Sequence, residues 1–257
     1  MTIRASKLTR DFRCALAIGL GLSSLLSISE SALAATVYGS NLIINGNAES
    51  GPGSVGGYDL EPIPSWTISG NFTVVQYGAP GFPSLTIPDP TQSGINFFAG
   101  GPNNASSSIS QRIDISDIAT SVDTGSVGFI HSGYFGGFSS QGDNAALTAN
   151  FISTNGTLLS SLSVGNVSNT ERQNTTAMLF RSEQGYLPVG TRSIELLLTS
   201  NRFQGSYNDG YADNLSFALT PIPIPGAVVL LGSGLMVLFG FLRRKPLEEI
   251  VGKYQTA

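Results

Sequence analysis

Two stretches hold most of the side chains that could grip a polar ligand. One is Tyr134-Phe-Gly-Gly-Phe138-Ser-Ser-Gln141-Gly-Asp143-Asn144, and the other is Arg202 with Tyr207-Asn208-Asp209. Sugar recognition lays an aromatic ring on the apolar face of a pyranose, while carboxylates, amides and guanidinium groups take its hydroxyls in pairs. Tyr134, Phe138, Gln141, Asp143, Arg202, Asn208 and Asp209 supply that mixture and form the candidate ligand-binding set. The same residues have a second use, in which the glycines make tight turns, the aromatics pack on a sheet and Asp143 caps its loop. Trp66, the single tryptophan, is either a core plug or a sugar platform.

Catalysis has thin support. His131 is the sole histidine, so a hydrolase triad would rest on it alone and no histidine-rich metal cluster exists. Neither a Gly-x-Ser-x-Gly elbow nor His-Glu-x-x-His is present. Phe129-Ile-His-Ser reads as a strand in which His131 makes a structural hydrogen bond. A glycosidase needs only an acid and a base about 5 to 10 Å apart, which leaves that reaction as the one enzymatic alternative. The expectation is a chain without catalytic residues.

Positions 35–220, one domain's worth of chain, hold five arginines, no lysine and thirteen acidic residues, a formal charge of minus eight. Nucleic acid, which needs the opposite sign, is excluded as a partner. Short β-prone runs cross this region: Leu42–Ile44, Phe72–Val75, Ile109–Ile115, Ser126–Ile130, Ala145–Ile152, Ser193–Thr199 and Asn214–Ala218. Gly100–Asn104, Asn155-Gly156 and Leu187–Gly190 read as turns between them. No long 3.6-residue pattern interrupts the series, so the domain is expected to be all-β, an antiparallel sandwich or barrel.

The two ends carry addresses. Arg4, Lys7, Arg10 and Arg13 precede an apolar run, and Ala32-Leu-Ala34 supplies a small-x-small cleavage site, so residues 1–34 read as a signal peptide. The only cysteine, Cys14, lies inside it, and the mature chain is expected to hold no disulfide. Ile222 to Leu242 contains no charge, and about 20 such residues in a helix span a bilayer core of roughly 30 Å. Residues 226–242 are the expected transmembrane helix, preceded by a stiff spacer at 221–225 and followed by a basic tail at 243–257 whose Arg243, Arg244 and Lys245 face the cytoplasm.

This tail resembles a PEP-CTERM sorting signal, with Pro223-Ile224-Pro225, the helix and the basic cluster in order; Ile224 stands where that signal usually has glutamate. The resemblance implies an exosortase-type sorting enzyme as partner. It also implies export, anchorage in the inner membrane through the helix, and release to the cell surface or extracellular matrix. An ordinary uncleaved anchor is the simpler reading of the same residues.

Asn41-Leu-Ile-Ile-Asn-Gly-Asn-Ala-Glu49, Ser65-Trp66, Ile109–Ile115 and Asp209-Gly-Tyr-Ala-Asp213-Asn214, in that order, resemble the jelly roll of galactose-binding-like domains and carbohydrate-binding modules. In such a fold the first and last strands are neighbours, so Glu49 and Asp213 converge. Related modules hold a structural calcium there, and the resemblance implies Ca2+ bound by Glu49 and Asp213 with Asn45 and Asn47. The alternative is that Glu49 accepts backbone amides and Asp213 caps a turn. Three functions follow as expectations: a surface-anchored module that binds or organises extracellular polysaccharide, a structural matrix or adhesion protein without a specific sugar, and, third, a secreted glycosidase.

Overall fold

The computed structural model describes residues 36–84 and 94–221, together with Leu235, Met236 and Phe239. The expected signal peptide, the Pro223 to Pro225 motif and the basic cluster lie outside the described residues. So does the expected membrane helix, apart from those three positions. Among the described residues no helix is long and apolar enough to cross a membrane.

Among the described residues ten strands follow in chain order: β1 Thr67–Ser69, β2 Thr73–Gln76, β3 Asn96–Pro102, β4 Ser106–Asp114, β5 Val127–Gly137, β6 Asn144–Ser153, β7 Leu158–Gly165, β8 Ala177–Tyr186, β9 Thr191–Asn201 and β10 Tyr207–Pro221. One short helix, α1 Ala119–Asp123, links β4 to β5. The hairpin β6·β7 turns at Asn155-Gly156, and around it β5 pairs with β8, β4 with β9 and β3 with β10, all antiparallel. Pairs nested in this way make one long double ribbon. Rolled over its own apolar side, the ribbon becomes two sheets, ordered β1-β4-β9-β6-β7 and β2-β3-β10-β5-β8. This is the jelly-roll sandwich.

Alternation decides what lies between the sheets. On β6 Ala145, Leu147, Ala149 and Phe151 point inward, and on β9 Ile194, Leu196 and Leu198 meet them. Trp66 belongs to this core, edge-on to Phe98 at 6.0 Å, which settles its use as a plug.

Three local expectations change. Leu42–Ile44 is not a strand; a single bridge joins Asn41 to Ala218, after which the chain turns through Asn45 (φ 54°) and Ala48 (φ 60°). Asp213 lies in the middle of β10 rather than at its start. Gly100–Asn104 turns only at its end, because β3 runs on to Pro102 before Asn103 adopts φ 57°.

His131 departs from expectation in a way that can be measured. It is fully buried on β5 against Phe217, with neither ring nitrogen hydrogen-bonded. Burial alone pushes its pKa down to about 4. The unfolded chain takes up that proton near pH 6.5 and the folded chain only near 4, so the neutral ring loses stability to the unfolded state as pH falls through this window. His131→Leu is therefore predicted to gain on the wild type by about 3 kcal/mol between pH 7 and pH 4. Urea unfolding of both proteins across that range checks it, and a constant difference contradicts it.

Candidate functional site

The outer face of the β2-β3-β10-β5-β8 sheet is unusually aromatic. Residues next to core positions along each strand turn to it: Val75 beside Val74, Phe97 beside Phe98, Tyr134 beside Phe135, Met178 beside Leu179 and Tyr211 beside Ala212. Near the start of β10 the rings are roofed over. Tyr77 packs on Phe97 at 4.9 Å, Phe97 on Tyr211 at 5.2 Å, Phe82 on Tyr207 at 5.1 Å and the exposed Tyr58 on Tyr207 at 5.4 Å.

Further along, the face opens to solvent. Tyr134 meets Phe180 edge to face at 5.4 Å. Phe180 is 52 %, Tyr186 68 % and Ile130 41 % exposed. The β5·β8 register sets Phe180 opposite Tyr134, Ser182 opposite Ser132, Gln184 opposite Ile130 and Tyr186 opposite Gly128. Aromatic and polar side chains thus alternate on one face of the sheet, with Ser182 and Gln184 exposed and Ser132 buried. Tyr134 and Phe138 of the sequence-derived set belong to this aromatic layer. Phe180 and Tyr186 were missed, because an edge strand with solvent on both sides shows no apolar alternation. An aromatic residue at i and i+6 of a short polar run was the only sequence signal.

The remaining ligand-set residues lie beside this face, and several are part of its foundations. Asp143 is completely buried; Oδ1 accepts from the amides of Phe203 (2.7 Å) and Gln204 (3.0 Å), and Oδ2 from that of Asp209 (3.0 Å). Asn208 is buried, donating to the Ser200 carbonyl at 2.9 Å. Arg202 is half-buried and donates to the carbonyl of Ser206 at 2.8 Å. Gln141 is half-buried, its carbonyl held at 2.7 Å by Arg172.

Arg172, which the sequence reading passed over, is the organiser of this end. Its buried guanidinium also donates to the carbonyls of Gly137 (2.8 Å), Ser139 (2.9 Å) and Thr175 (2.6 Å). Burial lowers its pKa, while the neighbouring Tyr211, Asp143 and Asp209 act in the opposite direction. Asp209, buried and accepting from the Tyr211 hydroxyl, is pushed up to about 6 by burial. That hydrogen bond and Arg172 pull it back, and the charge of Asp143 adds to the rise. A glycosidase base needs free lone pairs, and in Asp143 both carboxylate oxygens are engaged by amides.

The charge of Glu49 reaches Asp213, and each carboxylate has its own hydrogen-bond partners. Asp213 is buried, with Oδ2 accepting from Tyr77 Oη (2.7 Å) and Oδ1 from the Asn214 amide (2.6 Å). Burial pushes it up to about 8, those two bonds oppose the rise, and the charge of Glu49 adds to it. Glu49 Oε1 accepts from the amides of Ile95 (2.8 Å) and Asn96 (2.7 Å), whereas Oε2 has only a 3.5 Å contact with Asn96 Nδ2. Asn45 is turned elsewhere. Its Oδ1 accepts from Ser50, its Nδ2 donates to Pro64 and its carbonyl takes the Trp66 indole; Asn47 is exposed. In their place the carbonyls of Ala48 and Gly51 converge on Asn96 Nδ2 at 3.2 and 3.4 Å, and Asn96 Oδ1 is buried without a partner. These carbonyls accept from an amide nitrogen and Glu49 accepts backbone amides, as the hydrogen-bonding alternative expects; Glu49 Oε2 and Asn96 Oδ1 are the oxygens least engaged. Among the described residues no three His, Cys, Asp or Glu side chains gather as a metal cluster.

No protein-family model and no curated protein matches the chain. Solved structures with some similarity to the chain are found. The enzymatically active domain of tailspike protein 4 from bacteriophage CBA120 is 15% identical with a TM-score of 0.42, over 70% of this chain and only 21% of that one. A family 16 carbohydrate-binding module is 15% identical with a TM-score of 0.43, over 69% of this chain and 99% of the module. The CBM22-1 xylan-binding domain of Xyn10C from Paenibacillus barcinonensis is 17% identical with a TM-score of 0.39, over 74% and 100%. All three TM-scores lie below 0.5.

Proposed function

We propose that this chain is an exported, non-catalytic module that binds or organises extracellular polysaccharide through the open face carrying Tyr134, Phe180 and Tyr186. The observation that carries this is the exposed Phe180 ring, edge to face with the half-buried Tyr134 and flanked on the same face by the exposed Ser182 and Gln184. A sugar ring laid on Phe180 would bury apolar area on both partners, and the flanking hydroxyl and amide would take its hydroxyl groups. Retardation of the protein in native gels containing glucan, xylan or galactan tests the reading. Phe180→Ala is predicted to weaken the binding at least about tenfold, equivalent to 1.4 kcal/mol. Asp143→Ala, which removes the acceptor of three amides, that of Asp209 buried, should instead lower stability by about 2 kcal/mol or more and change affinity little in the folded fraction. Retardation by no polysaccharide favours the structural matrix or adhesion role.

Calcium belongs to the same proposal as a structural ion held by Glu49 and Asp213 with nearby carbonyl and amide oxygens. At about 100 times its dissociation constant, an ion that binds only the folded chain adds roughly 2.7 kcal/mol. The melting temperature should rise with calcium, much less with magnesium, and not at all in Asp213→Asn. An unchanged melting curve after adding calcium to chelator-treated protein removes the ion from the account.

The addresses at the two ends complete the proposal: cleavage after Ala34, membrane anchorage through 226–242 and processing at Pro223-Ile224-Pro225 by an exosortase-type enzyme. Intact-mass analysis of surface material from the native host should return a chain beginning near Ala35 and lacking Arg243, Arg244 and Lys245. Recovery of the complete tail would leave a plain anchor.

A further inference from the structure

We infer that β8 is a self-association edge, on which a second copy of this chain adds its own β8 antiparallel about a two-fold axis through Ser182. This goes beyond the sugar-binding reading and does not depend on it. Among the described residues strand β8 is the outer strand of its sheet, pairing along its whole length with β5 on one side only. A strand of this length with a free edge is a template for another strand. Ser182, Glu183, Gln184 and Tyr186 are all exposed, so that edge is open.

The hydrogen-bonding phase fixes which residues face outward. Leu187, just past β8, donates to the Val127 carbonyl at 3.0 Å, and the Phe180 carbonyl accepts from the Arg181 side chain at 2.9 Å instead of from β5. Odd-numbered residues therefore bond to β5, and even-numbered ones present N–H and C=O at the free edge. An axis through Ser182 satisfies that phase, since it pairs Ser182 with itself, Phe180 with Gln184 and Met178 with Tyr186 as hydrogen-bonded pairs.

The charges choose among registers. About Ser182, Arg181 of each copy falls opposite Glu183 of the other in a non-hydrogen-bonded pair, where Cα atoms stand about 4.5 Å apart and side chains are closest. An axis through Arg181 or Glu183 sets like charges together, and axes through Phe180 or Gln184 leave both charges without an opposite partner. Arg181 now pairs with the exposed Glu171 at 2.8 Å, an ion pair worth little at the surface and free to exchange. Joining the edges places the open face of one copy beside that of the other, so one extended polymer could lie across both.

Cysteine cross-linking of the full chain tests the axis. With Cys14→Ser as background, Ser182→Cys would bring two thiols onto residues about 5.5 Å apart at Cα, within disulfide range. Under mild oxidation it should give a disulfide-linked dimer at least tenfold above Ser160→Cys, placed on the exposed edge strand β7. Glu183→Arg added to Ser182→Cys should reduce the dimer to the Ser160→Cys level. Adding Arg181→Glu to that variant should restore it, because the opposite pairing is re-formed with signs exchanged. Equal cross-linking at both serines, or no rescue by the double charge exchange in variants with unchanged melting curves, overturns the inference.

Discussion

The domain depends on β10, which holds two successive partners along one of its edges. Its first half pairs with β3, from Tyr207 opposite Pro102 to Ala212 opposite Phe98. Beyond a register shift between Asp213 and Ser216, the N-terminal segment takes over, with Gly39 donating to the Leu219 carbonyl, Leu42 to that of Phe217 and Leu215 to that of Gly46. Asn41 locks the exchange, its Nδ2 donating to the Leu215 carbonyl and its Oδ1 accepting from the Phe217 amide. A Cβ at Gly46 would stand 2.3 Å from the Leu215 carbonyl oxygen, so only glycine allows this approach. The exchange of partners places Asp213 at the break in the sheet, close enough to feel the charge of Glu49.

Burial sorts the polar residues into two kinds of work. At the end where β5 leads into β6, Arg172 and Asp143 collect carbonyls and amides from loops that have no ladder of their own, which is how buried backbone groups outside a sheet are satisfied. Fixing those loops fixes the ends of the strands that carry Tyr134 and Tyr211. The open half of the same sheet has no such roof, and its Tyr134, Phe180 and Tyr186 are the side chains left for a ligand. In the proposed reading, recognition and architecture occupy adjoining parts of one sheet and use different residues.

Much of the fold could be read from periodicity. Ile109–Ile115, Ala145–Ile152 and Ser193–Thr199 alternate because one face of their sheet is buried, and Asn155-Gly156 has the turn chemistry a hairpin needs. Strands β7 and β8 were not legible, since edge strands rich in serine or exposed on both faces lack that contrast. The site was legible in part. Tyr134 and Phe138 were found as aromatics near glycines, but Asp143 and Asn208 have the composition of ligand residues and the geometry of loop supports. Nothing in a linear sequence distinguishes a carboxylate that waits for a hydroxyl from one already holding three amides. Arg172 was invisible for the converse reason, as a lone arginine in a polar loop.

The proposed ligand surface is the open half of the β2-β3-β10-β5-β8 sheet. Amide chemical-shift mapping of the isotope-labelled protein during titration with soluble glucan, xylan and galactan oligosaccharides tests it most directly. Perturbations are expected to centre on Ile130, Ser132, Tyr134, Phe180, Ser182 and Gln184, with the β4, β6 and β9 amides unmoved. Saturable perturbations confined to the opposite sheet, or to the loops around Arg172 alone, would contradict it.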